Sequence, residues 1–268
     1  KPELVIKKII RSSISDIICK GVKPKYYFVS GSGNKKSFSS INLKKISKSL
    51  KQEQDKFNII LCGGDTVYSN KLSFTVTSIG FSQKIILRNN AKLNDDIYVT
   101  GNLGDSFVGL NILKKKIKLN HSLKKYFKSK YYLPDLHLKL SNKLLTFANT
   151  SIDISDGLIA DLEKLINRQK FSYKLNLDNV PISKNLKKII VEKKLDKISY
   201  ISQGDDYQIL FTADPSKSRI IAKTAKSLSI KISKIGKICI SSQESEIIDQ
   251  KGKKIALKNK GFYHIFKS

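Results

Sequence analysis

With 268 residues and 40% hydrophobic content, the chain can bury a substantial core as one large or two ordinary domains, and no apolar run approaches the roughly 20 residues that span a membrane. The formal net charge of +29 would suit a nucleic-acid partner, but Arg11, Arg88, Arg168 and Arg219 are the only arginines. Lysine carries the charge from end to end, which argues against nucleic acid and fits the steering of anionic substrates.

The elements begin with a helix over Leu4 to Lys20, where Ile6, Ile9, Ile10, Ile14, Ile17 and Ile18 recur at helical spacing. A strand over Lys25 to Ser30 follows, then a polar loop from Ser32 to Ser40. The stretch Gly31-Ser32-Gly33-Asn34-Lys35-Lys36-Ser37 lacks the spacing of a phosphate-binding loop and reads as surface. Ile41 to Gln54 is helical. Residues 57–60 and Leu72 to Gly80 read as strands, with Gly63-Gly64-Asp65 as the turn of a hairpin or as a ligand loop. The polar stretch 81–94 is the best domain boundary.

The second half opens with a strand over Asp96 to Thr100 and the turn Gly101-Asn102-Leu103-Gly104, either a phosphate cradle or a plain strand-to-helix turn. A helix covers Ser106 to Lys116. Ser122 to Tyr132 is a basic linker whose aromatic residues pack under a loop, and Pro134 to Phe147 is a helix whose His137 has no metal-spaced partner. Leu158 to Ile166 is helical. Strands over Tyr207 to Thr212, Ile230 to Ile235 and Lys237 to Ser241, with a helix over Ser216 to Leu228, complete the pattern. Cys19, Cys62 and Cys239 are odd in number and far apart, so they suit reduced cytoplasmic thiols better than a disulfide framework or a zinc site. The N-terminus shows no signal-peptide pattern, because Lys7-Lys8 interrupts Leu4-Val5-Ile6 at once.

Chemistry concentrates in three acidic turns. Asp153-Ile154-Ser155-Asp156-Gly157-Leu158 sets two carboxylates three residues apart where a strand becomes a helix, which serves either a helix cap and turn or a hard cation. Gly63-Gly64-Asp65-Thr66 lets backbone approach a ligand beside a carboxylate. Gly204-Asp205-Asp206-Tyr207 precedes an apolar strand.

Taken in order, these motifs resemble those of the thiamine-monophosphate kinases, members of the aminoimidazole-ribonucleotide-synthetase-like superfamily of ATP-using enzymes. Ser13-Ile14-Ser15-Asp16-Ile17, Leu87-Arg88, Gly101 with Gly104-Asp105-Ser106, and the tail Gly261-Phe262-Tyr263-His264-Ile265-Phe266 extend the likeness over essentially the whole chain. The resemblance implies an α+β fold with a two-domain architecture: an N-terminal mixed sheet with helices over 1–86 and a C-terminal α/β domain over 87–268. It implies transfer of the γ-phosphoryl group of ATP to thiamine monophosphate with several magnesium ions. Asp16, Asp65, Asp153 and Asp156 would be the metal ligands, Gly64, Asp65, Arg88 and Ser155 the ATP contacts, and Asp205 and Phe262 the substrate contacts. No separate catalytic base is assigned, since positioning and electrostatics dominate phosphoryl transfer. A homodimer formed through the N-terminal domain, a cytoplasmic location, and no membrane or nucleic-acid partner complete the expectation. The alternatives are another ATP-dependent enzyme of the superfamily, or a fragment that only binds nucleotide.

Two departures accompany the resemblance. Asp205 and Ser13 stand where Glu and Asn are usual, and the family's Gly-Asp-Asp turn and Ser/Thr-x-Asp strand do not precede Lys1. The chain is therefore expected to lack an N-terminal segment. On that expectation, residues 1–268 alone turn over weakly or not at all, as measured by ADP formation that depends on thiamine monophosphate.

Overall fold

The computed structural model describes residues 1–242, 244–257 and 259–262. Helix α1 (Pro2–Cys19) starts with proline in its first turn, where no amide hydrogen is needed. It buries Ile6, Ile10, Ile14 and Ile18, a stripe at four-residue spacing. Strand β1 (Pro24–Gly33) follows and leads into helix α2 (Ser40–Phe57), which is capped by the Ser39 hydroxyl and ends at Asn58 with φ 52°. Strands β2 (Ile60–Tyr68) and β3 (Ser73–Gly80) complete a three-stranded sheet in the order β2-β1-β3.

The expected hairpin at Gly63-Gly64-Asp65 is absent. Helix α2 is a crossover, so β2 runs parallel to β1, while β3 pairs antiparallel on the other side of β1. The two glycines therefore lie inside β2. Tyr27 pairs with Leu61 and Phe28 with Gly63, so the register shifts at Cys62.

The second sheet has the order β5-β7-β4-β8-β6-β9. Its strands are β4 (Asp96–Thr100), β5 (Thr150–Asp153), β6 (Phe171–Asn176), β7 (Ile209–Ala213), β8 (Ile232–Ile240) and β9 (Glu246–Ile248). All neighbours are antiparallel except β6 and β9. Among the described residues, seven further α-helices accompany it: α3 (Asp105–Leu113), α4 (His121–Tyr132), α5 (Ser141–Leu144), α6 (Leu158–Ile166), α7 (Lys184–Glu192), α8 (Lys197–Ile201) and α9 (Ser218–Leu228). Every residue of β4, β5 and β7 is buried, as expected of strands covered on both faces.

Alternation along β4 divides the core. Ile97 and Val99 pack with α6 in one cluster, whereas Tyr98 joins α1, Tyr27 of β1 and Phe211 in another. Tyr98 stacks on Phe211 with ring centroids 5.2 Å apart. The second cluster thus unites α1 and the first sheet with one face of the second sheet.

Three further expectations change. The supposed linker at 122–132 is α4, capped by Asn120, and Phe127 is fully buried with Val108 and Leu186. The helix expected from Pro134 to Phe147 reduces to a 3-10 turn and the short α5. The two strands expected on either side of Gly236 are one continuous β8, with a register shift at that point. Among the described residues, no helix is long and apolar enough to cross a membrane.

A buried ion pair ties α1 to α2. Arg11 Nε and Nη2 donate to the two Glu53 carboxylate oxygens at 2.8 and 2.9 Å, and Nη1 donates to the Pro134 carbonyl at 3.1 Å. Removing one partner strands the other charge in the core, so Arg11→Met or Glu53→Gln should cost about 3–5 kcal/mol in urea denaturation, and the double change Arg11→Met with Glu53→Leu should cost less than either.

Candidate active site

Asp16 lies exposed near the end of α1 and Asp153 is buried at the end of β5, and the packing of α1 against β5 brings their carboxyl groups within electrostatic reach of each other. Two carboxyl groups set close together hinder each other's ionisation. Burial pushes the Asp153 carboxyl up to about 7, with the Asp16 charge adding to the rise and a Ser15 hydrogen bond opposing it. Asp16 is also raised by burial, against the Asp153 hydrogen bond and the positive charges of Lys20 and Arg88. Arg88, expected at the nucleotide, therefore lies within electrostatic reach of the pair. Lys20 donates to the Ser151 carbonyl, Ser151 Oγ donates to the Cys19 carbonyl at 2.7 Å, and Thr150 Oγ1 donates to the Leu87 carbonyl at 2.7 Å. These bonds fasten β5 to the end of α1 and to the turn that carries Arg88.

Downstream of Asp153, a residue unmarked by sequence analysis shapes the turn. Asp161 Oδ2 accepts from the amides of Ser155, Asp156 and Gly157 at 2.9, 2.8 and 3.1 Å. An acid in the first turn of α6 thus takes the place that an Asp156 side-chain cap would have filled. Gly157 has φ +124°, and a Cβ there would come within 2.2 Å of the Ser202 carbonyl oxygen. Asp156 and Asp161 both pair with Lys164. Asp153 and Asp156 thus take different partners.

The third acidic turn lies directly against this one. Asp205 and Tyr207 donate their amides to the Ser155 and Ile154 carbonyls at 2.9 and 2.8 Å. Lys8, which reaches in from α1, places Nζ 2.6 Å from Asp205 Oδ1. The tail arrives from another direction: Ala160 donates its amide to the Lys260 carbonyl and Phe262 donates to the Asp156 carbonyl, both at 2.9 Å. Asp205 and Phe262 are therefore both attached to the Ile154-to-Asp156 turn. The rest of the expected tail motif, from Tyr263 to Phe266, lies outside the described residues.

Asp65 stands apart, exposed on β2 opposite Ser30, with Oδ1 accepting from the Thr66 amide at 2.7 Å. Beside it, a Cβ on Gly64 would fall 1.7 Å from the Val29 carbonyl oxygen, so strand pairing alone demands glycine there. Among the described residues, no three His, Cys, Asp or Glu side chains gather as a metal site. Asp16 and Asp153 are the two expected ligands that the fold joins.

The remaining alternatives resolve locally. The Gly101-to-Gly104 turn is no free phosphate cradle, because Asp206 already accepts from the Gly104 and Ser106 amides at 2.7 and 3.3 Å. His137 is partnered, with Nε2 2.7 Å from Gln208 Oε1. Asn34 Oδ1 accepts from the Lys36 and Ser37 amides, which makes the glycine-rich stretch after β1 a closed turn.

Comparison with known proteins finds relatives in both sequence and fold. Residues 1–82 match the family described as AIR synthase related protein, N-terminal domain. The thiamine-monophosphate kinase of Buchnera aphidicola subsp. Acyrthosiphon pisum is 34% identical over 270 residues, covering 98% of this chain and 81% of that protein. The chain belongs to the thiamine-monophosphate kinase family. The crystal structure of thiamine monophosphate kinase from Aquifex aeolicus superposes with a TM-score of 0.81 at 25% identity, over 95% of this chain and 82% of that one. A second family structure, described as AaThiL complexed with AMPPCP and TMP, gives a TM-score of 0.83 at 25% identity, over 98% of this chain and 81% of that one.

Asp206 gives a measurable consequence. Burial pushes its carboxyl from 3.8 up to about 7, so the folded chain holds this proton more tightly than the unfolded chain does. The group's contribution to stability is complete below the unfolded value and is lost as pH rises through the folded one. Urea denaturation across that window should show this component of stability falling as pH rises, and Asp206→Asn, which does not titrate, should remove it.

Proposed function

We propose that the chain transfers the γ-phosphoryl group of ATP to the phosphate of thiamine monophosphate. The bond between the γ-phosphorus and the ADP oxygen breaks, a bond to a phosphate oxygen of the substrate forms, and thiamine diphosphate and ADP leave. The observation that carries this reading is the pairing of Asp16, exposed at the end of α1, with the buried Asp153 within electrostatic reach of Arg88. The match to a family structure holding AMPPCP and TMP supports it.

Charge neutralisation and in-line positioning are what this reaction needs. Arg88 would meet phosphate oxygens through a fixed, permanently charged fork. The backbone at Gly64 and the Ser155 hydroxyl would complete the nucleotide contacts, with Asp65 beside them. Asp205 would face the cationic thiazolium and Phe262 would offer a flat face to its ring.

The donor set at Asp16 and Asp153 fits magnesium: both supply carboxylate oxygens, and a cation between them would offset the buried Asp153 charge and the neighbouring Asp16 charge together. When bound, the metal would neutralise the phosphates and hold the reacting oxygens in line. Asp65 and Asp156 belong to the same proposed set, Asp156 by exchanging Lys164 for the metal. A division of the chain into 1–86 and 87–268 is part of this reading and is supported by the two sheets, which lie on either side of it. So are the cytoplasmic location and the homodimer, the latter supported by exposed Ile60, Val67 and Tyr68 on β2.

Calorimetric titration with magnesium-ATP and with thiamine monophosphate tests the assignment. Asp153→Asn and Asp65→Asn should each weaken magnesium-ATP binding by at least about tenfold and remove any magnesium-dependent ADP formation, with circular dichroism unchanged. Wild-type affinity and turnover in both variants would sink the site.

A further inference from the structure

The ammonium of Lys8 has no part in the reading above, yet its surroundings are specialised. It is held between α1, α4 and the loop before β7, with the side chain 14% exposed. Besides the Asp205 contact, Nζ lies 4.3 Å from the Tyr131 ring centroid and 4.7 Å from that of Tyr207. Tyr207 also donates its hydroxyl to Asp205 Oδ1 at 3.3 Å. Both contacts fall on Oδ1, which leaves Oδ2 without a partner among the described residues on a side chain that is 29% exposed.

The loop itself needs such support. Asp205 has φ 72° and Tyr207 φ 51°, left-handed conformations that residues other than glycine rarely adopt and that cost free energy. Its amides are bonded to the turn that follows Asp153, so fixing Asp205 also fixes it relative to the Asp16–Asp153 pair.

We propose that Lys8 is a positioning residue, which together with Tyr207 holds Asp205 by Oδ1 so that Oδ2 meets the cationic ring of thiamine monophosphate. This rests on the kinase reading. Two features separate it from a plain tie between α1 and the loop: the open Oδ2, and the aromatic faces of Tyr131 and Tyr207, which keep the ammonium at Oδ1.

The test is calorimetry on the full chain with thiamine monophosphate and, separately, magnesium-ATP, alongside thermal midpoints. Lys8→Met should weaken thiamine monophosphate binding by on the order of tenfold or more while magnesium-ATP affinity stays within about twofold. Lys8→Arg, which keeps the charge and the aromatic contacts, should recover most of the loss. Unchanged or tighter thiamine monophosphate binding by Lys8→Met overturns the proposal, as does a parallel loss of both ligands that follows the thermal midpoint. If Lys8→Met does not fold, Asp205→Asn decides: a selective loss of thiamine monophosphate affinity supports the proposal, and wild-type affinity overturns it. If the unmodified chain binds magnesium-ATP but not thiamine monophosphate, the kinase reading itself fails and the role of Lys8 falls with it.

Discussion

The pairing of two carboxyl groups, Asp16 at the exposed end of α1 and Asp153 buried at the end of β5, sets the terms for the rest of the molecule. Taking a carboxylate out of water is costly, and putting a second beside it is worse unless a proton or a cation intervenes. The fold meets that cost with Lys20, Arg88 and Ser15 around the pair and with side-chain bonds that pin β5 to the end of α1.

From this pair the architecture is read outward. The turn after Asp153 is stiffened by Asp161 beneath its three amides, and the turn is in turn the anchor for the Asp205 loop and for the tail that brings Phe262. Each segment therefore inherits its place from the previous one. The shared core around Tyr27, Tyr98 and Phe211 keeps α1 fixed to the second sheet, so that groups from opposite ends of the chain meet within hydrogen-bond distance.

Legibility varied with the range of the interactions. Helix α1 and strand β4 were visible because periodicity is a local property, and α1 also shows its buried stripe directly. Helix α4 was hidden by its lysines, since only tertiary packing reveals that Phe127 faces a core. The Gly63-Gly64 pair suggested a hairpin because glycines favour turns, whereas here they permit close strand pairing after a helical crossover. Asp161 and Lys8 gave no motif at all: one is an acid in a helix, the other a lysine in a lysine-rich chain.

The sequence by itself determined which chemistries were available: acidic turns in a fixed order, an arginine beside them, and apolar periodicities able to bury a core. Those are properties of residue type and spacing. Only the tertiary structure decided that Asp153 meets Asp16 while Asp156 meets Lys164, and that Asp65 stands on a different sheet. Such choices depend on the crossover of α2, on strand register and on how α1 lies across the second sheet. The contacts that fasten β5 to the end of α1 join residues more than a hundred positions apart, beyond the reach of any local pattern.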